Sequence, residues 1–295
     1  MVALVTGANG FLGSYVVRGL GAAGWEVVGA GRPQMEIPSA EFDQLAVRSA
    51  AGLVVHCAGP ASVPASLEEP ARDLQGSVGV LAGVLDVLRN LDPPPRLLLL
   101  SSAAVYGQPL RLPVDEDSEP APVSPYGFHR MACELLVREY NQLYGVPGVT
   151  MRIFSAYGEG LRRQILWDIC RKAVEEGRIE LSGTGRESRD FVHATDVAEA
   201  ALAIAQRAAF EGEAYNVASG CETTVAELAS LLAAELGVPA ESVCFGGERR
   251  PGDPLRWHGD ISRLEALGFS PRTEIERGAV AYAAWARQEI QVGVQ

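Results

Sequence analysis

The run from Val2 to Gly13, Val2-Ala-Leu-Val-Thr-Gly-Ala-Asn-Gly-Phe-Leu-Gly13, constrains this chain more than any other stretch. A short apolar segment leads directly into glycines spaced G-x-x-G-x-x-G, which predicts a buried strand, a tight turn and the start of a helix. Glycine permits the turn and lets a diphosphate approach the backbone. The helix N-terminus then offers unpaired N–H groups and a partial positive charge. The position of these glycines at a first strand-to-helix turn makes the signal strong. On this reading Gly7, Asn9, Gly10, Phe11, Leu12 and Gly13 are expected to contact a dinucleotide.

The pattern then alternates. A helix is predicted from Phe11 to Ala23 and a strand over Glu26 to Ala30. Leu53 to Cys57 is a third strand, ending at Ala58-Gly59-Pro60, and a helical pattern follows over Gly76 to Asn90. The prolines at 93–95 must break that helix. Arg96 to Ser101 is a central strand, Tyr126 to Tyr144 a long helix, and Val149 to Phe154 a further strand. Such alternation predicts a Rossmann-type, doubly wound parallel α/β sheet. After Tyr157 the pattern loosens, with helices over Gln164–Glu176, Asp196–Arg207, Val225–Leu236 and Glu276–Glu289 and a short strand at Ile179–Ser182. The expected organisation is a dinucleotide-binding domain over 1–160 with roughly 190–218, and a smaller α/β substrate domain over 161–189 and 219–295.

Bulk properties narrow the partners. A net charge of −12 disfavours nucleic acid, which needs a basic face. No apolar run approaches membrane-spanning length. The five cysteines are scattered, so neither metal ligation nor a disulfide framework is expected. The first strand begins at Val2, leaving no basic leader ahead of it, and a cytoplasmic location is expected.

Three further motifs carry chemistry. The second strand ends Gly29-Ala-Gly-Arg32. An acidic residue there would bind ribose hydroxyls of NAD, whereas Gly31 and Arg32 favour a 2′-phosphate and tilt the expectation to NADP, with NAD as the alternative. Solvation of Arg32 in a loop is the plain structural reading. Ser101-Ser-Ala-Ala-Val-Tyr-Gly107 lies at the exit of the central strand, where ligands bind in this architecture. Ser124-Pro-Tyr-Gly-Phe-His-Arg130 opens a helix, and Tyr126 and Arg130, four apart, share one face. A phenol beside a fixed cation exchanges a proton more readily than a free one, which titrates near ~10.

With Arg152-Ile-Phe-Ser-Ala-Tyr-Gly158, Arg189-Asp-Phe-Val-His193, Tyr215-Asn-Val-Ala-Ser-Gly220 and Arg250-Pro-Gly-Asp253, these motifs resemble the extended short-chain dehydrogenase/reductase family, in its nucleotide-sugar epimerase/reductase/dehydratase branch. The resemblance runs through most of the chain. It implies that Ser102 binds the reacting sugar oxygen and that Tyr126 is the general acid/base, with Arg130 where the family has lysine. It implies cofactor contacts from Cys57, Ala58, Gly59 and Phe154. Substrate contacts are implied from Ala103, Ser155, Arg189, Arg250 and Asp253, the arginines serving a pyrophosphate. An ion pair with Asp190 is the alternative for Arg189. Ala103 and Ala104 replace the acid pair of the dehydratases, which disfavours water elimination. His129 is expected in packing or at the surface, and Ser77 is read as a local structural exchange. The expected activity is an NADPH-dependent 4-ketoreductase of a nucleotide-linked, deoxy sugar. An NAD-dependent 4-epimerase is the close alternative, and a non-catalytic Rossmann sensor or scaffold is the rival from another class. Relatives dimerise through two helices, which implies a homodimer through Gly76–Asn90 and Tyr126–Tyr144.

Overall fold

The computed structural model describes residues 1–248 and 254–293. The chain opens with β1 (Val2–Thr6), α1 (Phe11–Ala22), β2 (Glu26–Ala30), α2 (Ala40–Ser49) and β3 (Leu53–His56). Two short helices, α3 (Val63–Glu68) and α4 (Pro70–Leu74), then lead through a π-turn (Gln75–Gly79) into α5 (Val80–Leu88). Next come β4 (Arg96–Ser102), α6 (Pro125–Tyr144), β5 (Gly148–Ile153) and β6 (Ser155–Tyr157). The second half holds α7 (Gln164–Glu176), β7 (Ile179–Leu181), β8 (Ser188–His193), α8 (Ala194–Arg207) and β9 (Glu211–Val217). It continues with β10 (Glu222–Thr224), α9 (Val225–Leu236), β11 (Val243–Phe245), α10 (Ser262–Glu265) and α11 (Ile275–Gly293).

Six strands form one sheet in the order β2-β1-β3-β4-β5-β9, and every pair in it is parallel. The expected parallel, doubly wound sheet is present. Its strands are apolar on both sides because helices cover both faces. One face packs Val5, Leu98 and Met151 against α1 and α8, and the other packs Leu4, Leu97 and Leu99 against α5 and α6. From β1 the chain steps to β2 on one side and then returns to β3 on the other. A ligand crevice belongs at that switch point, beyond the carboxyl ends of β1 and β3. A separate apolar cluster joins α7, α9 and α11 around Tyr157 and Tyr282. Two small sheets, β10-β8-β6 and β11-β7, accompany it.

Two expectations need correcting. The helix expected over Gly76–Asn90 starts upstream and is interrupted by the π-turn, where the Ser77 hydroxyl donates to the Asp73 carbonyl at 2.6 Å. The strand expected to run through Phe154 stops at Ile153, and β6 pairs instead with β8. No helix among the described residues is long and apolar enough to cross a membrane.

Candidate functional site

A cavity of about 670 Å³ opens at the switch point, within the size range of small-molecule sites. Its floor is the glycine turn. Gly10 N donates to the Gly7 carbonyl at 2.9 Å, and a Cβ placed on Gly13 would lie 2.1 Å from that same oxygen. Only glycine therefore lets α1 start this close to β1 and turn its N-terminal N–H groups toward the cavity.

Gly10, Phe11, Leu12, Gly13, Cys57, Gly59, Ser102, Tyr126, Arg130, Phe154, Ser155 and Arg189 all line this cavity, which brings together residues far apart in sequence. Gly7 and Ala58 do not line it but support it: a Cβ on Gly7 would come within 2.8 Å of the Ala58 nitrogen. Burial pushes the Cys57 thiol up to about 12, which keeps it neutral.

Local sequence fixes Ser102 and Tyr126 in the cavity wall. Ser102 caps a single helical turn, accepting from Ala104 N at 3.2 Å, and its own hydroxyl proton stays available to a ligand oxygen. Ser124 caps α6 by accepting from Gly127 N, and Pro125 occupies the first helical position, where its missing N–H costs nothing. Tyr126 then sits in the first turn, its backbone N–H held by Ser66 Oγ at 3.1 Å. One turn on, the Arg130 guanidinium carbon lies 5.0 Å from the centre of the Tyr126 ring. The expected pairing of phenol and cation is thus present, through the ring face. His129 is half-buried and bonds Asp73 at 2.9 Å, tying α4 to α6 behind Tyr126.

Four expectations change. Ala103 is wholly buried in the cluster around Tyr106, and Ala104 faces the cavity instead, because the turn after Ser102 rotates the two alanines apart. Asn9 does not line the cavity; its amide donates to the Arg32 carbonyl at 3.0 Å and to Gln34 Oε1 at 2.8 Å, so it shapes the loop after β2. Arg32, expected to meet a 2′-phosphate, pairs with Glu36 at 2.8 Å on the exposed surface. Gly31, at the position where an acid was expected, has φ +145° and would press a Cβ to 3.3 Å from Gly7, which explains the glycine without reference to a phosphate. Arg250 and Asp253 lie outside the described residues.

Arg189 leaves β8 toward the cavity, with its guanidinium carbon 5.6 Å from the Trp257 ring centre. Its sequence neighbour Asp190 is completely buried and accepts from Ser219 N at 2.7 Å and Gly259 N at 3.2 Å. Alternation along a strand sends these two side chains to opposite faces, so a surface pair between them is set aside. The motifs did not mark Arg163 or Gln164, which bring the start of α7 into the wall, nor Ser62 to Pro64 after β3. The predicted onset of α7 at Gln164 was the available signal for the first two.

A parallel doubly wound sheet with a glycine turn, a serine at a strand exit and a tyrosine–cation pair in one cavity defines a dinucleotide-dependent enzyme of the extended short-chain dehydrogenase/reductase type. The chain belongs to the NAD dependent epimerase/dehydratase family, whose model matches residues 3–218. A Methanocaldococcus jannaschii protein, provisionally named a UDP-glucose 4-epimerase, is 30% identical over 96% of this chain and 97% of its own length. The UDP-glucose 4-epimerase of Thermus thermophilus, solved with NAD, superposes with a TM-score of 0.87 at 25% identity, covering 97% of this chain and 99% of that one. RMD from Pseudomonas aeruginosa, solved with NADPH, gives a TM-score of 0.84 at 27% identity, covering 98% and 99%.

Proposed function

We propose that the protein is an NAD-dependent 4-epimerase of a UDP-linked sugar. The observation that carries this reading is the convergence of Ser102, Tyr126 and Arg189 on the cavity floored by the glycine turn. Two points favour the epimerase over the NADPH-dependent reductase expected from the sequence. Arg32 is neutralised by Glu36, and that carboxylate would repel a 2′-phosphate. The names of the Methanocaldococcus and Thermus relatives point the same way. The reductase remains the second reading because RMD, at similar identity, was solved with NADPH.

The residues present fit a nicotinamide dinucleotide: the Gly7–Gly13 turn has no Cβ where the backbone is closest, and its helix start faces the cavity. A nicotinamide bound there would supply a reversible hydride acceptor for the sugar carbon C4. Tyr126 would take the C4 hydroxyl proton as that carbon is oxidised and return it when the carbon is reduced from the opposite face. Ser102 donates a hydrogen bond to that oxygen throughout. Arg130 stacks over the Tyr126 ring face and holds the ring in place. Arg189 and Arg163 hold the diphosphate, leaving the sugar free to turn between the two half-reactions. Leu74, Phe128, Leu135 and Leu143, exposed on α4 and α6, supply an apolar face for a homodimer.

The test is to denature purified protein, identify any released nucleotide, and then follow C4 inversion of UDP-sugars with no cofactor added. Retained NAD and interconversion of at least one UDP-hexose are expected. An NAD-loaded protein inert toward UDP-glucose, UDP-glucuronate and UDP-N-acetylglucosamine would overturn the reading. An empty protein that oxidises NADPH with a 4-keto nucleotide sugar would establish the reductase instead.

A further inference from the structure

The geometry points to Arg130 as a positioning clamp that preforms the cofactor-facing loop after β3, a task that its fork performs and a lysine ammonium could not. Arg130 is 6% exposed. Its Nη2 donates to the Pro60 carbonyl and its Nη1 to the Leu100 carbonyl at 3.4 Å. The last residue pair between β3 and β4 is His56 with Leu99. Pro60 and Leu100 both lie just past it, where the two strands part to open the crevice. One guanidinium thus spans the gap in which the sheet can no longer hold its own edges together.

Three observations make this a built arrangement. Gly59 has φ +136°, and a Cβ there would stand 3.3 Å from Arg130 Nη2 and 3.4 Å from the Gly76 carbonyl, so the loop leaves room for the fork. Gly76 belongs to the π-turn, and a Cβ on it would meet Pro60 Cδ at 3.2 Å. The irregular turn, the loop and the arginine therefore close on one another. Finally, with both terminal nitrogens on carbonyls, the buried Nε has no partner among the described residues. Leaving a buried donor unpaired is unfavourable, so the two carbonyl contacts are what hold the fork in place.

A fork carries two donors at fixed spacing and can bridge two carbonyls on different segments, whereas an ammonium is a single point. With the loop already shaped, the dinucleotide does not have to order it on binding, and affinity rises accordingly. This inference rests on the reading of the cavity as an NAD site but not on epimerisation. Binding and turnover are read separately, so each can fail alone.

The experiment compares wild type, Arg130→Lys and Arg130→Met after stripping, using NAD as the probe in titration calorimetry, with thermal unfolding of each NAD-free protein. The expected result is a Kd for NAD at least tenfold higher in Arg130→Lys, approaching that of Arg130→Met, although the lysine keeps the charge. A lysine variant that binds NAD as tightly as wild type would overturn the clamp, as would a wild type that does not bind NAD. Should the variants fail to fold, hydrogen exchange of NAD-free wild type decides. The amides of Ala58, Gly59 and Ala61 are expected to exchange as slowly as those of β3, and exchange at the rate of an open loop would overturn the proposal.

Discussion

His56 ends β3 inside the sheet, its Nδ1 2.9 Å from Thr6 Oγ1 on β1. Desolvation, and then the charge of Arg130, lower its pKa to about 3. An unfolded histidine titrates near ~6.5, so between these values the unfolded chain binds a proton that the native chain refuses. The folded pKa is the depressed one. Stability is therefore full above about pH 6.5 and falls steadily as the pH drops toward about 3. The melting temperature of wild type is expected to drop more steeply between pH 7.5 and 5 than that of His56→Gln; parallel curves would refute the assignment. At this scale sequence and structure agree unevenly. Ser102 and Tyr126 were legible because their motifs are local, a capped turn and a Ser-Pro helix start. Arg32 was misread because its partner Glu36 lies one helical turn on in the same exposed loop, and spacing alone does not say which way a loop folds. His129 looked bland because Asp73 is far away in the chain.

The element that decides the site is α6, which carries both Tyr126 and Arg130. Its position on the sheet is set by Glu134, one turn beyond Arg130. Both Glu134 and Arg152 of β5 are buried, paired at 2.9 Å, and Ser101 on β4 donates to the same carboxylate at 2.7 Å. Arg152 also bonds the Tyr106 hydroxyl at 2.8 Å and the Glu116 carbonyl at 3.0 Å. Removing one member strands a buried charge, which costs about 3–5 kcal/mol. Glu134→Leu is expected to lower the melting temperature by several degrees, and Glu134→Leu with Arg152→Met to recover much of that loss; equal losses in the single and double variants would count against the pairing. Long periodic elements were read closely from the sequence: α7 and α9 begin and end where the spacing puts them. Helix α2 and strands β6, β8, β9, β10 and β11 were not, and the three-residue strands among them exist only because a partner pairs with them.

For the whole molecule, the exposed apolar side chains of α4 and α6 matter most. Leu135 is 55% and Leu143 70% exposed on the helix whose other side anchors the sheet. If this face joins two copies, Leu135→Glu is expected to halve the mass measured by light scattering, from twice 31.3 kDa to 31.3 kDa. A wild type that is already a monomer would sink the idea. What the sequence by itself determined is the parallel sheet, the glycine turn and the local turns that hold Ser102 and Tyr126, because each is written in contiguous residues whose backbone needs or periodicity are local. Tertiary structure alone decided that Ala104 and not Ala103 faces the cavity, that Arg32 is paired with an acid, and that Arg130 bridges two carbonyls where β3 and β4 part. Those outcomes depend on which distant segments meet, and burial and charge pairing are settled only when they do.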